Sequence, residues 1–154
     1  MNVRTRELLL RAEDHLRRMG VNQKYSFSQG SYHTGVSASA GTHDGGGALD
    51  IRVNGMSRGT QLKMVKALRM AGFAAWSRGH NDSFAPHIHA IAIGDRQASW
   101  LAKSQVQEYF RGGDGLTGSR PDYDRAVGRP AHGDAGRSGR RADGTTGVVV
   151  RHRR

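Results

Sequence analysis

The residues best suited to chemistry fall in two short segments. The first reads Ser39-Ala40-Gly41-Thr42-His43-Asp44-Gly45-Gly46-Gly47-Ala48-Leu49-Asp50-Ile51, and the second reads Pro86-His87-Ile88-His89-Ala90-Ile91. A catalytic zinc site needs three nitrogen or oxygen ligands and one position left open for water, and His43, Asp50 and His89 supply such a set. Three consecutive glycines between His43 and Asp50 allow a tight turn, so a loop histidine and a strand carboxylate can converge. The chain has no cysteine, which excludes a disulfide framework and a thiolate site and leaves imidazole and carboxylate as the ligands for any transition metal. Each motif alone also has an ordinary reading. One histidine among eight is more often a surface or hydrogen-bonding group than a ligand. The glycine run would suit a phosphate-approaching turn, but it lacks the Lys-Ser/Thr of a P-loop and the spacing of a dinucleotide fingerprint.

Elements must hold these residues in place. Over residues 5–19, Leu9, Ala12, Leu16 and Met19 recur at helical spacing, charges fill the other faces and Gly20 follows as a stop, which predicts a first helix. Residues 21–47 are rich in Ser, Gly, Thr and Tyr without a sustained period and read as loop with short strand pieces. Residues 48–53 alternate, with Leu49, Ile51 and Val53 on one face and Asp50 on the other, as in a half-buried strand. After the Asn54-Gly55 turn signal, Ser57 is placed to cap a second helix whose Leu62, Met64, Val65 and Leu68 face a core and which Gly72 ends. Residues 73–76 are a short strand candidate, and 87–93 alternate so that His87 and His89 project to the same side. A last helix is expected over 97–110, carrying Trp100, Leu101, Val106 and Tyr109. The expected fold class is α+β: a small, mainly antiparallel sheet with helices packed on one side and a metal cleft on the open face.

A chain of 154 residues suffices for one core, and its apolar residues thin out after residue 110. Residues 111–154 hold ten Arg, five Asp and no Lys among many Gly, too little apolar surface to offset the entropy of ordering most of that stretch. The expected organisation is a domain over 1–110, an extended arm over 111–132 and a flexible basic tail over 133–154. No run approaches the roughly 18–20 apolar residues of a membrane span. Arg4, Arg6, Glu7, Arg11, Glu13 and Asp14 interrupt any secretory apolar region near the start, so no signal peptide is expected. A net charge of +11 predicts attraction to polyanions, whether nucleic acid, an acidic membrane surface or the teichoic acids of a cell envelope. Against a nucleic-acid-binding protein stands the lack of zinc-finger spacing and of a ribonucleoprotein aromatic motif.

Taken together, Gly41-Thr42-His43, a glycine-rich six-residue spacer, Asp50 on a strand and the later His87-Ile88-His89 resemble the signature of the D-alanyl-D-alanine carboxypeptidase and hedgehog-like zinc peptidases. That superfamily includes cell-wall dipeptidases, penicillin-insensitive murein endopeptidases and phage endolysins. The resemblance covers roughly residues 26–109. It implies one zinc ion held by His43, Asp50 and His89, which polarises a scissile carbonyl and activates a water, and a substrate drawn from peptidoglycan stem or cross-link peptides.

Many members carry a glutamate base three residues before the last ligand, where this sequence has Pro86. His87 is then the first candidate for the base, since it shares a strand face with His89 and related murein endopeptidases place a histidine there. Asp82, in a polar loop, is the second, with an ordinary turn role in Asn81-Asp82-Ser83 as its alternative; His80 is similar. Gln29, in Ser28-Gln29-Gly30, stands in a place comparable to the Arg or Gln that steadies a substrate carbonyl or carboxylate in the carboxypeptidase relatives. A preorganised donor of this kind is worth ~3 kcal/mol. Trp76, Tyr25 and Phe84 are candidates for an apolar wall beside a peptide stem or for ordinary core.

The missing glutamate keeps a second reading open, a zinc-stabilised cell-wall-binding module without turnover. The basic tail would tether the protein to anionic envelope polymers. A wall hydrolase without a signal peptide would be made in the cytoplasm and reach the wall after holin-type release.

Overall fold

The computed structural model describes residues 1–128 apart from 36, 80, 81, 117 and 119, so His80 and the expected basic tail lie outside the described residues. Helix α1 (Val3–Arg18) starts where the Asn2 side chain accepts from the Thr5 backbone N–H, and it buries Leu8, Leu9, Ala12 and Leu16. Helix α2 (Arg58–Ala71) starts at Ser57, whose hydroxyl accepts from the Thr60 N–H, a cap typically worth ~1 kcal/mol. It stops at Gly72, whose φ of 110° is a left-handed conformation that strains any residue with a Cβ.

Four strands, β1 (Phe27–Gln29), β2 (Ala48–Arg52), β3 (Phe73–Arg78) and β4 (His87–Ala92), form one antiparallel sheet in the order β1-β2-β4-β3. The alternation read from the sequence sorts its two faces. Leu49, Ile51, Phe73, Ala75, Ile88 and Ala90 point into a core shared with Leu16 of α1 and Met64 and Leu68 of α2. Burying each large apolar side chain of this kind contributes about 1.5–3 kcal/mol.

The architecture is the expected α+β class with a small antiparallel sheet. The expected one-sided placement of helices describes α1 and α2, whereas α3 (Trp100–Arg111) packs on the opposite face, where Ala102 and Tyr109 join Ala48, Ala74, Trp76 and Ile91. The cause is β3, in which every residue from Phe73 to Trp76 is buried, so this strand needs cover on both faces. Helix α3 also begins later than residue 97, because Ser99 takes the cap position by accepting from the Ala102 N–H. Strand β3 runs on to Arg78, past the expected end at Trp76.

Residues 112–128, read from the sequence as an arm, return along the domain. Strand β3 is one edge of the sheet, and this segment covers it: Asp124 accepts from the Ser77 backbone N–H, and the Trp76 indole N–H donates to the Gly113 carbonyl at 3.0 Å. Asp114, Asp122 and Asp124 are all buried. The segment is held through carboxylates, which a count of apolar residues does not see. Among the described residues, no helix is long and apolar enough to cross a membrane.

Candidate metal centre

Strand register places two of the proposed ligands side by side. Asp50 pairs with His89 across β2 and β4, and His89 pairs with Trp76 across β4 and β3. Residues paired in this way share a sheet face, with Cβ atoms about 4.5–5.5 Å apart. His43 reaches the same face from the loop before β2. That loop is tied to the start of α3: Gly46 N–H donates to the Gln97 carbonyl at 2.7 Å, and the Ser99 hydroxyl, which also caps α3, donates to the Thr42 carbonyl at 3.1 Å. A Cβ at position 45 would lie 2.3 Å from the Gln97 carbonyl oxygen and 2.6 Å from the Ser99 nitrogen, so the close approach requires Gly45.

The three side chains meet at one carboxylate oxygen. Asp50 Oδ1 lies 2.7 Å from His89 Nδ1 and 3.3 Å from His43 Nε2, and the candidate ligand atoms of the three residues all lie within 4.8 Å of one another. The remaining ring nitrogens are also engaged. His43 Nδ1 is 3.1 Å from the Gly30 carbonyl and His89 Nε2 is 2.9 Å from Gln105 Oε1. The Gly30 backbone carbonyl only accepts, so it holds a proton on His43 Nδ1 and turns the His43 Nε2 lone pair towards Asp50; His89, between Asp50 and the Gln105 amide, takes the matching arrangement when its proton sits on Nε2.

The electrostatics point the same way. Burial raises the Asp50 pKa, but the facing His43 and His89 rings, which donate to the carboxylate and carry charge whenever they hold a second proton, outweigh it and keep the carboxyl well below the usual carboxylate range. Burial pulls His89 below the ordinary histidine value, against the opposing pull of Asp50. A neutral His89 has one ring N–H for two partners, Asp50 at Nδ1 and Gln105 at Nε2; with that proton on Nε2, donated to Gln105, Nδ1 faces a carboxylate lone pair. A shared cation relieves that contact. The donor set therefore fits a metal ion, held by His43 Nε2, Asp50 Oδ1 and His89 Nδ1. Imidazole and carboxylate suit several divalent first-row ions, zinc among them.

The other sequence-derived candidates separate. His87 joins the cluster, with Nε2 3.6 Å from Asp50 Oδ1 and Nδ1 2.7 Å from the Ala85 carbonyl. Asp82 serves the turn instead, where its Oδ1 accepts from the backbone N–H groups of Gly79 (2.7 Å) and Phe84 (3.3 Å). Gln29 pairs with Asp50 across β1 and β2, and its buried Nε2 has no hydrogen-bond partner among the described residues. Trp76 stacks behind His89 with ring centroids 6.1 Å apart, and Phe84 stands at the rim of the site, edge-on to His87. Tyr25 belongs to the opposite core, where its hydroxyl donates to the Met64 carbonyl.

A small pocket of about 60 Å³ opens on the cluster, and three of its lining residues escaped the sequence reading: Gln105, Arg78 and Leu116. Gln105 follows the buried Ala102 by three positions and precedes the buried Tyr109 by four, so it lies on the inward stripe of α3. A polar residue on that stripe was the available signal. Arg78 was missed because the strand was ended at Trp76; one more step of alternation places it on the same face. It pairs with His87 across β3 and β4 and is only 4% exposed, with its guanidinium 5.2 Å from the centre of the Trp76 ring. Compared with protein-family models, with curated proteins and with solved structures, the chain matches none.

Proposed function

We propose that this chain is a zinc-dependent peptidase that hydrolyses a peptide bond in the stem or cross-link peptides of peptidoglycan. The observation that carries the reading is the convergence of His43, Asp50 and His89 at a pocket, with the second nitrogen of both imidazoles tied off. Three ligands beside a pocket are the mark of a catalytic site, whereas a structural site is closed by a fourth. The choice of peptidoglycan rests on the motif resemblance in the sequence.

When bound, zinc acts as a Lewis acid towards the scissile carbonyl and towards water. Hydrolysis breaks the C–N bond, adding hydroxyl to the acyl carbon and a proton to the leaving amine. His87 is placed to carry that proton. Its Nδ1–H is held by the Ala85 carbonyl, which leaves the Nε2 lone pair facing the cluster. Asp82 acts at one remove, by shaping the turn that leads to Ala85 and Pro86. Pro86 in place of a glutamate favours a second reading, a zinc-stabilised wall-binding module without turnover.

One experiment separates the two. Purified protein should contain about one equivalent of zinc, and mass spectrometry of treated muropeptides should show cleavage that stops with chelator and returns with added zinc. Zinc without cleavage would establish the binding module. A protein that takes up no metal would overturn both.

A further inference from the structure

The pocket contains a charge that the chain leaves incompletely satisfied. Arg78 is 4% exposed and lines the pocket beside His87 and His89, yet its Nη2 is buried without a hydrogen-bond partner among the described residues. The carboxylates of Asp82, Asp114, Asp50 and Asp124 favour its charge, and the guanidinium lies over the face of Trp76, which offers no hydrogen-bond acceptor in the plane of the fork. An arginine side chain carries five N–H donors, stays protonated in any protein and matches a carboxylate in two parallel hydrogen bonds. Leaving such a donor buried and unmet is costly unless something brings an acceptor to it.

We infer that Arg78 receives a carboxylate of the peptide substrate and so selects which peptides enter the site. This rests on the peptidase reading above. The position supports it in two ways. Pairing with His87 puts Arg78 one strand over from the proposed proton carrier and in the row next to Asp50 and His89. Arg78 also lines the same pocket as His43, Asp50, His87 and His89, and that pocket is open to solvent, so an acidic group of a peptide entering the site can reach the guanidinium and the metal ligands together. A stem peptide offers carboxylates of two kinds, the free C-terminus and the acidic group of an internal glutamyl residue. Binding of the first makes the enzyme remove a terminal residue; binding of the second sets it to cut within the stem.

Two peptide pairs distinguish these sources. One pair differs only in a C-terminal acid or amide, the other only in an internal glutamate or glutamine. Dissociation constants from calorimetry and kcat/KM from chromatography, both on the full zinc-loaded chain, should show the acid preferred by about 30-fold or more in one pair. Arg78→Gln should erase that preference, and Arg78→Lys, which keeps the charge and loses the fork, should retain part of it. Equal binding of both members of both pairs by the unaltered protein would overturn the assignment, and that comparison needs no variant to fold. Equal loss on acid and amide in a folded Arg78→Gln protein would also overturn it, because the arginine would then be structural. If no peptide is cleaved but the acid still binds selectively, the peptidase reading fails and Arg78 keeps its role.

Discussion

Arg69 and Arg78 are both buried, 1% and 4% exposed, and both lie near β3, yet their hydrogen-bond balance is opposite. Arg69 spends its whole fork inside the protein. Its Nε and Nη2 donate to the Ala75 carbonyl, Nη1 donates to the carbonyls of Asp124 and Gly128, and Nη2 also reaches the Asp122 carboxylate. Those contacts fasten residues 122–128 to the β3 edge of the sheet. Arg78 keeps one donor, Nη2, unmet among the described residues and stands at a pocket. A buried charge with every donor satisfied is a fastener. A buried charge with an open donor next to converged metal ligands has the chemistry of a binding residue.

The strongest way to break this contrast is to empty the metal side. Asp50→Asn or His43→Ala should abolish stoichiometric metal uptake and bring turnover to background, read by elemental analysis and muropeptide mass spectrometry. A fully active His43→Ala protein would sink the ligand assignment. His87→Ala should keep the metal, because the three ligands remain, while turnover falls by roughly 10²–10⁴-fold. Asp82→Asn should matter far less, since its carboxylate is engaged by the turn. Loss of metal in His87→Ala would instead make that ring a ligand.

On the fastener side, Arg69→Met removes the buried Arg69–Asp122 ion pair, and a broken buried pair costs about 3–5 kcal/mol. Urea denaturation should show that loss. Ending the chain at residue 110 removes Asp122 and Asp124 together and should be at least as damaging. An unchanged denaturation midpoint in Arg69→Met would erase the distinction between the two arginines. The smallest effect belongs to Gln105→Leu, which frees the second nitrogen of His89. Metal affinity should weaken by about 10–100-fold, as measured by competition with a chelator, with the fold intact.

Much of this site was legible before any coordinates. The alternation in β2 and β4, the caps at Ser57 and Gly72, and the pairing of a glycine-rich loop with a His-x-His strand are all local signals; they brought His43, Asp50, His87 and His89 forward, and the motif resemblance singled out His89 as the last ligand. The return of residues 112–128 was not legible. It read as an extended arm because apolar area was the measure, while the segment is held by Asp122 and Asp124 against Arg58, Arg69 and β3. Gln105 was hidden for a related reason. Its role depends on α3 crossing to the second face of the sheet, which followed from the two-sided burial of β3.

By itself, then, the sequence determined which side chains share a face. Successive residues of a strand point to opposite sides whatever their neighbours, so Asp50 was separated from Leu49 and Ile51, and His87 and His89 were set together, by period alone. The order of the strands is a matter of long-range pairing, and only the tertiary structure placed β2 beside β4 with Asp50 against His89. The same holds for the two arginines. As residues Arg69 and Arg78 are identical in charge and donors, and what makes one a fastener and leaves the other open to a ligand is which acceptors the folded chain carries to each.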